Sequence, residues 1–280
     1  MEDLRDKILD SKANKRINAS IIADDAGILV GTPEIKEEAE RLGLSLERLL
    51  NEGSQVNEGD EIASFCGSPK QVAMAEDVLI GIIAKPSGIA TSAHKAVEAT
   101  GGKPKIVCGA WKKMPLVLRD IIRRAIITGG AQIRISVDPF VYLDKNYVEI
   151  LGGIKESLKA VRDLKTFLKV VQIKGRYKDI VLEACEATEF GADILFIDTG
   201  RPSDVKAVVN KLVLLGLRKK VNIAFGGGIT LESIDELKTM DIDILDIGRQ
   251  IVDAPLLDMR MEIINSNGKQ KNKSKGFCNG

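Results

Sequence analysis

The sequence predicts an α/β protein whose larger part is an open (β/α) TIM-like barrel of six or seven strands. Three observations predict this class. Apolar, β-rich runs recur every few tens of residues in the second half of the chain. Helical segments lie between most of them. The runs are continuously apolar, as in parallel strands covered on both faces. The predicted strands are KIVCGA, AQIRISV, FVYLD, FLKVVQIK, ADILFID, VNIAFGGG and DIDILDIGR.

A smaller α+β region precedes the barrel. INASIIADDAGILVG predicts two strands paired through a turn at DDAG, and PEIKEEAERLGLSLERLL predicts a helix. NEGSQVNEGDEIASFCG predicts short strands around two glycine-containing turns, and AMAEDVLIGIIAK and SGIATSAHKAVEAT predict two further helices. We therefore assign residues 1–86 to an N-terminal α+β domain and 87–260 to the barrel. Residues 261–280 form a polar, Lys-rich tail that we expect to be flexible.

Composition excludes several classes of function. The 41 Lys and Arg residues nearly balance the 40 Asp and Glu residues, and aromatic residues make up only 4% of the chain. Neither value fits a nucleic-acid binder. No run of 18 apolar residues predicts a membrane span, and the charged N-terminus lacks the apolar region of a secretory signal. Four widely spaced cysteines and the single His94 form no zinc or disulfide pattern. We expect a cytoplasmic enzyme that uses Lys, Arg, Asp and backbone amides.

Two glycine-containing loops at the ends of late strands predict a phosphate site. Function in a βα barrel lies at the carboxyl ends of the strands. The run IAFGGGIT places Gly226, Gly227 and Gly228 at one such end, and DIGRQ places Gly248 and Arg249 at the next. Consecutive glycines allow backbone amides to approach a ligand closely. We therefore expect these five residues to bind the phosphate of a substrate.

Other polar side chains follow the remaining strands. Asp198 ends ADILFID, where a carboxylate can coordinate a Mg²⁺ carried by a phosphorylated substrate or accept a hydrogen bond from a ribose hydroxyl. Gln172 and Lys174 lie two residues apart and therefore on the same face of one strand. Further charged side chains near strand ends are those of Lys112, Arg134 and Lys145. Positive groups gathered in this way suit an anionic substrate.

Several segments resemble the type II phosphoribosyltransferases, the family of quinolinate phosphoribosyltransferase (nicotinate-nucleotide pyrophosphorylase) and nicotinate phosphoribosyltransferase. SGIAT at 87–91 reproduces a family motif, and AEDVLIG, IDTG, AFGGGIT, DIGRQ and VNEGDEIASFCG resemble others. The resemblance covers roughly residues 17–260. It implies a small α/β sandwich domain followed by an open barrel, and a homodimer or higher homo-oligomer. It also implies phosphoribosyl transfer from 5-phosphoribosyl 1-diphosphate to a pyridine or related aromatic carboxylate, as in NAD biosynthesis.

The resemblance also implies roles for individual residues. Lys85, Lys112, Lys145 and Arg249 are the cations expected to meet the diphosphate, with Asp198 engaging the Mg²⁺ that accompanies it. Arg134, Gln172 and Lys85 are expected to contact substrate. The residues expected to take part in catalysis are Lys112, Lys145, Lys174 and Asp198. The chain departs from the family pattern at several positions, namely Asp77, Trp111, Lys112, Met114, Ile133, Ile135, Lys145, Gln172 and Ala224.

Two alternatives follow from the residues. Lys174 at a strand end can form a Schiff base with a phosphosugar if desolvation favours its neutral amine. In the family pattern, arginines stand at the positions of Asp77, Trp111 and Lys112 and a histidine at that of Met114. The loss of these side chains also fits a non-catalytic homologue that binds a nucleotide or a partner.

Overall fold

The computed structural model describes residues 3–264. Its described residues divide into two compact units, one comprising residues 3–87 and 257–264 and the other Gly88–Leu256. Residues 257–264 therefore belong to the same unit as the start of the described chain, whereas the sequence assigned 257–260 to the barrel and 261–264 to a flexible tail. The lysine-rich remainder of that predicted tail lies outside the described residues.

The first unit has helices packed on an antiparallel sheet. Its elements are α1 (Leu4–Leu9), β1 (Ile17–Ala23), β2 (Gly27–Ile28), α2 (Thr32–Arg41), β3 (Ser45–Leu49), β4 (Gln55–Val56), β5 (Glu61–Gly67), the first part of α3 (Pro69–Thr100) and the last strand of the chain, β12 (Met259–Ile264). The main sheet has the order β12-β1-β5-β3, and β2 pairs with β4. Ile21 and Phe65 of the sheet share one buried apolar cluster with Ile35 of α2 and Leu79 and Ile83 of α3. Burial of these side chains is the main force that holds the two layers together.

Two local predictions for this unit were wrong. The strands on either side of DDAG do not pair with each other, because β1 pairs with β5 and β12 while β2 pairs with β4. The helix predicted for residues 33–50 ends at Arg41. Gly43 follows with a φ of +72°, which glycine adopts at low cost and which stops a helix. The next residues, Ser45–Leu49, pair with β5 as an edge strand.

Strand β12 was missed because its partner is distant in sequence. It pairs antiparallel with β1 from Ala23–Met259 to Asn18–Ile264. Met259 lies in the core cluster with Met261 packed against it, while Arg260 between them is exposed, so the segment does alternate as a strand should. The two helices predicted around Pro86 are likewise one continuous helix, α3.

The second unit is a parallel sheet with helices between its strands. In chain order its elements, after the second part of α3, are β6 (Lys105–Val107), α4 (Arg119–Thr128), β7 (Phe140–Leu143), α5 (Lys145–Leu151), α6 (Ile154–Ala160), β8 (Leu168–Ile173), α7 (Ile180–Glu189), β9 (Ile194–Asp198), α8 (Pro202–Leu214), β10 (Asn222–Gly226), α9 (Ile234–Leu237), β11 (Ile244–Asp246) and α10 (Arg249–Val252). The strand order is β6-β11-β10-β9-β8-β7. The first strand of the unit therefore pairs with the last, as in a rolled sheet.

The sheet curls into the predicted open barrel. All six strands contribute side chains to one apolar cluster on a single face of the sheet, as expected for the interior of a barrel. The cluster contains Val107, Val170, Ile194, Phe196, Ala224 and Ile244, with Ile135, Phe140 and Tyr142 packed against it. On the other edge of β6, Val107 forms an isolated parallel bridge with Gln132. AQIRISV was predicted to be a strand, but that bridge is its only ladder contact, and the barrel stays open between Gln132 and β7.

Helices of membrane-spanning character are absent from residues 3–264, because no helix there is both long and apolar enough to cross a bilayer.

Candidate active site

Three neighbouring strands place polar residues in one layer at the carboxyl end of the barrel. Alternate residues of a strand face the same side. Phe196, Ala224 and Ile244 belong to the interior cluster, so the residues two positions later, Asp198, Gly226 and Asp246, also face the interior. Gly226 pairs in register with Asp198, and Ala224 with Ile244. We call Asp198, Gly226 and Asp246 the carboxylate layer.

Asp198 is the centre of a hydrogen-bonded network. Its Oδ2 accepts from Lys174 Nζ at 2.7 Å and from Gln172 Nε2 at 2.6 Å. Gln172 Oε1 in turn accepts from the backbone N–H of Lys145 at 2.9 Å. The structure thus brings together four residues that the sequence singled out. The ends of β8 and β9 and the start of α5 are fixed relative to one another by these bonds.

The loop that carries Lys174 is held by a buried glutamate that the sequence analysis missed. Glu183 is only 2% exposed. Its Oε2 accepts from the N–H groups of Lys174 and Gly175 at 3.1 and 2.7 Å, and its Oε1 from that of Tyr177 at 2.9 Å. Since a carboxylate that accepts several backbone N–H groups is strongly directional, Glu183 fixes where the Lys174 side chain begins.

We expect Glu183→Gln to lower the free energy of unfolding by about 2 kcal/mol. The amide would turn an NH₂ group toward backbone donors, leaving at least one buried N–H without an acceptor. Urea denaturation measures the change. The matched control is Glu186→Gln on the same helix, since Glu186 pairs with the half-exposed Lys178 and should lose less than about 1 kcal/mol. Equal losses in the two variants would show that Glu183 is not an anchor.

Asp246 is the second carboxylate of the layer, and the sequence analysis did not select it. Its Oδ1 accepts from the N–H of Gly109 at 3.1 Å. Burial raises the pKa of Asp246 and the negative charge of Asp198 raises it further, while the Gly109 hydrogen bond and the positive charges of Lys112 and Lys113 oppose the shift. The sequence does contain a signal for Asp246: it is a carboxylate two residues after Ile244 in an otherwise apolar strand, and so faces the same side as Ile244.

Two other groups near the layer are held neutral. Burial raises the pKa of the Tyr142 phenol, and the carboxylates of Asp198 and Asp246 add to the shift. Burial also raises the pKa of the Cys108 thiol to about 12. Burial therefore disfavours the thiolate form of Cys108, and the neutral Tyr142 hydroxyl can donate a hydrogen bond.

Both predicted glycine loops form bends of the backbone, and the individual glycines in them serve different purposes. Gly226 needs to be glycine for packing, because a Cβ there would lie 2.9 Å from the Phe196 ring. Gly227 and Gly228 have φ values of +104° and +90°, and the space beside Gly228 is open. Within residues 3–264, the N–H groups of Gly227, Gly228 and Gly248 donate no hydrogen bond to the protein. These amides are available to a ligand.

The second bend lies against the turn that carries Lys112. A Cβ at Gly248 would approach the Cβ of Ala110 to 3.2 Å, and Ala110–Lys113 form a 3₁₀ turn directly after the barrel's first strand. Trp111 fixes this turn by donating from Nε1 to the carbonyl oxygen of Ile133 at 3.0 Å. The side chains of Lys112 and Arg249 are exposed at this rim. The structure thus places the turn that carries Lys112 beside Gly248, in the second glycine bend of the predicted phosphate site.

Two further predicted substrate contacts, Arg134 and Lys85, belong to other elements of the chain. Arg134 is exposed in the loop after the Gln132 bridge, where its Cζ lies 5.0 Å from the centre of the Phe140 ring. Its expected strand position was wrong, although Phe140 does line the barrel interior. Lys85 lies on α3 in the first unit. Across residues 3–264, no group of three or more His, Cys, Asp or Glu side chains is arranged to hold a metal ion.

Comparison with known proteins identifies the family. Residues 3–87 match the model of the quinolinate phosphoribosyl transferase N-terminal domain, and residues 89–262 that of its C-terminal domain. An Archaeoglobus fulgidus protein named as a probable carboxylating nicotinate-nucleotide pyrophosphorylase is 29% identical over 252 residues, covering 89% of this chain and 95% of that protein.

Human and structural relatives agree with these matches. The human carboxylating nicotinate-nucleotide pyrophosphorylase is 27% identical over 248 residues, covering 88% of this chain and 82% of the human protein. The crystal structure of nicotinate-nucleotide pyrophosphorylase from Pyrococcus furiosus shares the fold, with a TM-score of 0.79 at 22% identity over 93% of this chain and 72% of that one. Because both family models match and together span nearly all of the described residues, the chain belongs to the quinolinate phosphoribosyl transferase family.

Proposed function

We propose that the protein transfers a phosphoribosyl group from 5-phosphoribosyl 1-diphosphate to a pyridine or related aromatic carboxylate. Its curated relatives are named for this type of reaction. The observation that carries the proposal is the network on Asp198, which lies beside two bends whose amides are free to bind an anion. Anion-binding amides and a fixed carboxylate are the two features that a phosphorylated sugar requires.

The sugar phosphate is assigned to the glycine bends. Amides of Gly227, Gly228 and Gly248 supply neutral donors, and the exposed Arg249 supplies positive charge. Gly226 contributes by allowing Phe196 to pack beneath the bend. Glycines at these positions let the phosphate approach the backbone closely.

The reaction needs charge stabilisation more than covalent chemistry. As diphosphate leaves, C1 of the ribose gains positive, oxocarbenium character, which the Asp198 carboxylate stabilises. Lys112 and Lys145 are the cations proposed to meet the diphosphate, and Gln172 and Arg134 to contact substrate. Mg²⁺ enters with the diphosphate, and a site with one or two carboxylates and no complete cage suits an ion held mainly by substrate oxygens and water.

No observation favours Schiff-base chemistry at Lys174. Its ammonium group lies 2.7 Å from Asp198 Oδ2 as an ion pair. Schiff-base formation requires a neutral amine. We assign Lys174 instead to orienting the Asp198 carboxylate.

We also propose a homo-oligomer in a reducing cytoplasm. Leu116 and Val117 are 76% and 88% exposed, which supports burial of this apolar pair between copies of the chain. The three described cysteines, Cys66, Cys108 and Cys185, are free thiols, as is usual in reducing compartments. Light scattering after size exclusion tests the oligomer.

The function is tested by incubating the protein with 5-phosphoribosyl 1-diphosphate, Mg²⁺ and single aromatic acids. We expect diphosphate release that depends on both the acid and Mg²⁺. Carbon dioxide release, measured in parallel, tells whether transfer is coupled to decarboxylation. Binding of the donor without diphosphate release for any acceptor would contradict the proposal and favour a non-catalytic homologue.

A further inference from the structure

The carboxylate layer carries more negative than positive charge. Asp198 has a cationic partner in Lys174. Asp246 has a neutral one, the N–H of Gly109, and no salt-bridge partner within residues 3–264. Lys174 is therefore the one cation bonded to the layer, and Asp198 already neutralises it.

The edge of the Phe196 ring fills the space beside Gly226, between the strands of the two carboxylates: a Cβ at Gly226 would lie 2.9 Å from that ring and 3.3 Å from the Cβ of Asp246. Gly226 lies in register between their strands and has no side chain. Beneath the layer are the rings of Tyr142 and Phe196, whose centres are 6.2 Å apart. An aromatic acceptor that packs above these rings would have Asp198 on one side and Asp246 on the other.

We propose that Asp246 determines acceptor specificity: it selects aromatic acceptors that carry one carboxylate or none, and rejects pyridine dicarboxylates. The proposal rests on the phosphoribosyl-transfer function and names its acceptor class. A second carboxylate would find no unpaired cation in the layer. When ionised, Asp246 would repel that carboxylate at close range. The two lysines whose charges act on Asp246, Lys112 and Lys113, are exposed on the rim and not part of the layer, and Lys112 is assigned to the diphosphate.

The experiment compares kcat/KM for pyridine-3-carboxylate, pyridine-3-carboxamide and pyridine-2,3-dicarboxylate. We expect the wild-type protein to use a singly charged or neutral acceptor at least about tenfold better than the dicarboxylate. Asp246→Asn keeps an oxygen for the Gly109 N–H and removes the ionisable group. This variant should raise kcat/KM for the dicarboxylate, relative to kcat/KM for pyridine-3-carboxylate, by about tenfold. Asp246→Ser provides a second, smaller variant in case the first folds poorly.

The control is Asp163→Asn, which removes the same charge at a side chain that is 90% exposed. Its acceptor ratio should match the wild type. A wild-type preference for the dicarboxylate overturns the role of Asp246 while the transferase function stands, and so does an unchanged ratio in both Asp246 variants. Absence of diphosphate release with every acceptor overturns the transferase function and this proposal together.

Discussion

Asp198→Asn is expected to lower kcat for diphosphate release by about 10²–10³-fold, the range found when one preorganised electrostatic group is removed from an active site. Two donors converge on this residue, Lys174 Nζ and Gln172 Nε2, and Gln172 is itself fixed by the backbone N–H of Lys145. Asparagine has nearly the same shape, but it cannot stabilise positive charge at C1. It also leaves the Lys174 ammonium without its counter-charge. Steady-state kinetics with saturating donor and Mg²⁺ measures the effect.

The matched control is Asp193→Asn at the opposite end of the same strand. Asp193 Oδ2 accepts from the backbone N–H of Lys169 at 2.7 Å, so its substitution changes stability and leaves kcat close to wild type. Thermal unfolding of both variants separates folding from catalysis. A folded Asp198→Asn variant with kcat within threefold of wild type would remove Asp198 from the catalytic role.

Gly200→Ala is expected to lower the free energy of unfolding by about 3 kcal/mol, since strain and overpacking add. Gly200 has a φ of +68°. Its N–H donates to the carbonyl oxygen of Gly226 at 2.9 Å, and a Cβ would overlap the carbonyl oxygen of Gly227. Because the phosphate bend would be pushed aside, the KM for 5-phosphoribosyl 1-diphosphate should also rise. Urea denaturation and donor titration measure the two effects.

Gly216→Ala isolates the backbone strain from the overlap. Gly216 has nearly the same φ, +67°, and nothing lies within 4 Å of a Cβ there. The Gly216→Ala variant should have a free energy of unfolding about 1 kcal/mol lower than the wild type and should keep the wild-type KM for 5-phosphoribosyl 1-diphosphate. Equal losses of stability in the two variants would show that the contact between Gly200 and Gly227 does not shape the bend.

Much of the barrel was predictable because its signals are local. Continuous apolar runs separated by amphipathic segments gave six of the seven predicted strands, and the seventh, around Arg134, contributes only the Gln132 bridge. Spacing along one strand placed Gln172 and Lys174 on one side, because the side-chain period of a strand is two. The same local logic failed after Gly43, where helical spacing continued in the sequence while the chain formed an edge strand.

Local sequence patterns were enough to predict the βα alternation, the strand-end positions of Asp198 and Lys174, and the glycine bends, since each depends on neighbours a few residues apart. Three features became visible only in the folded chain: Met259–Ile264 completes the first sheet, Glu183 anchors the Lys174 loop, and Asp246 shares a layer with Asp198. Those facts depend on strand order and on the direction in which buried side chains point. Such pairings join segments that are distant in sequence, and their free energy comes from burial that no local pattern encodes.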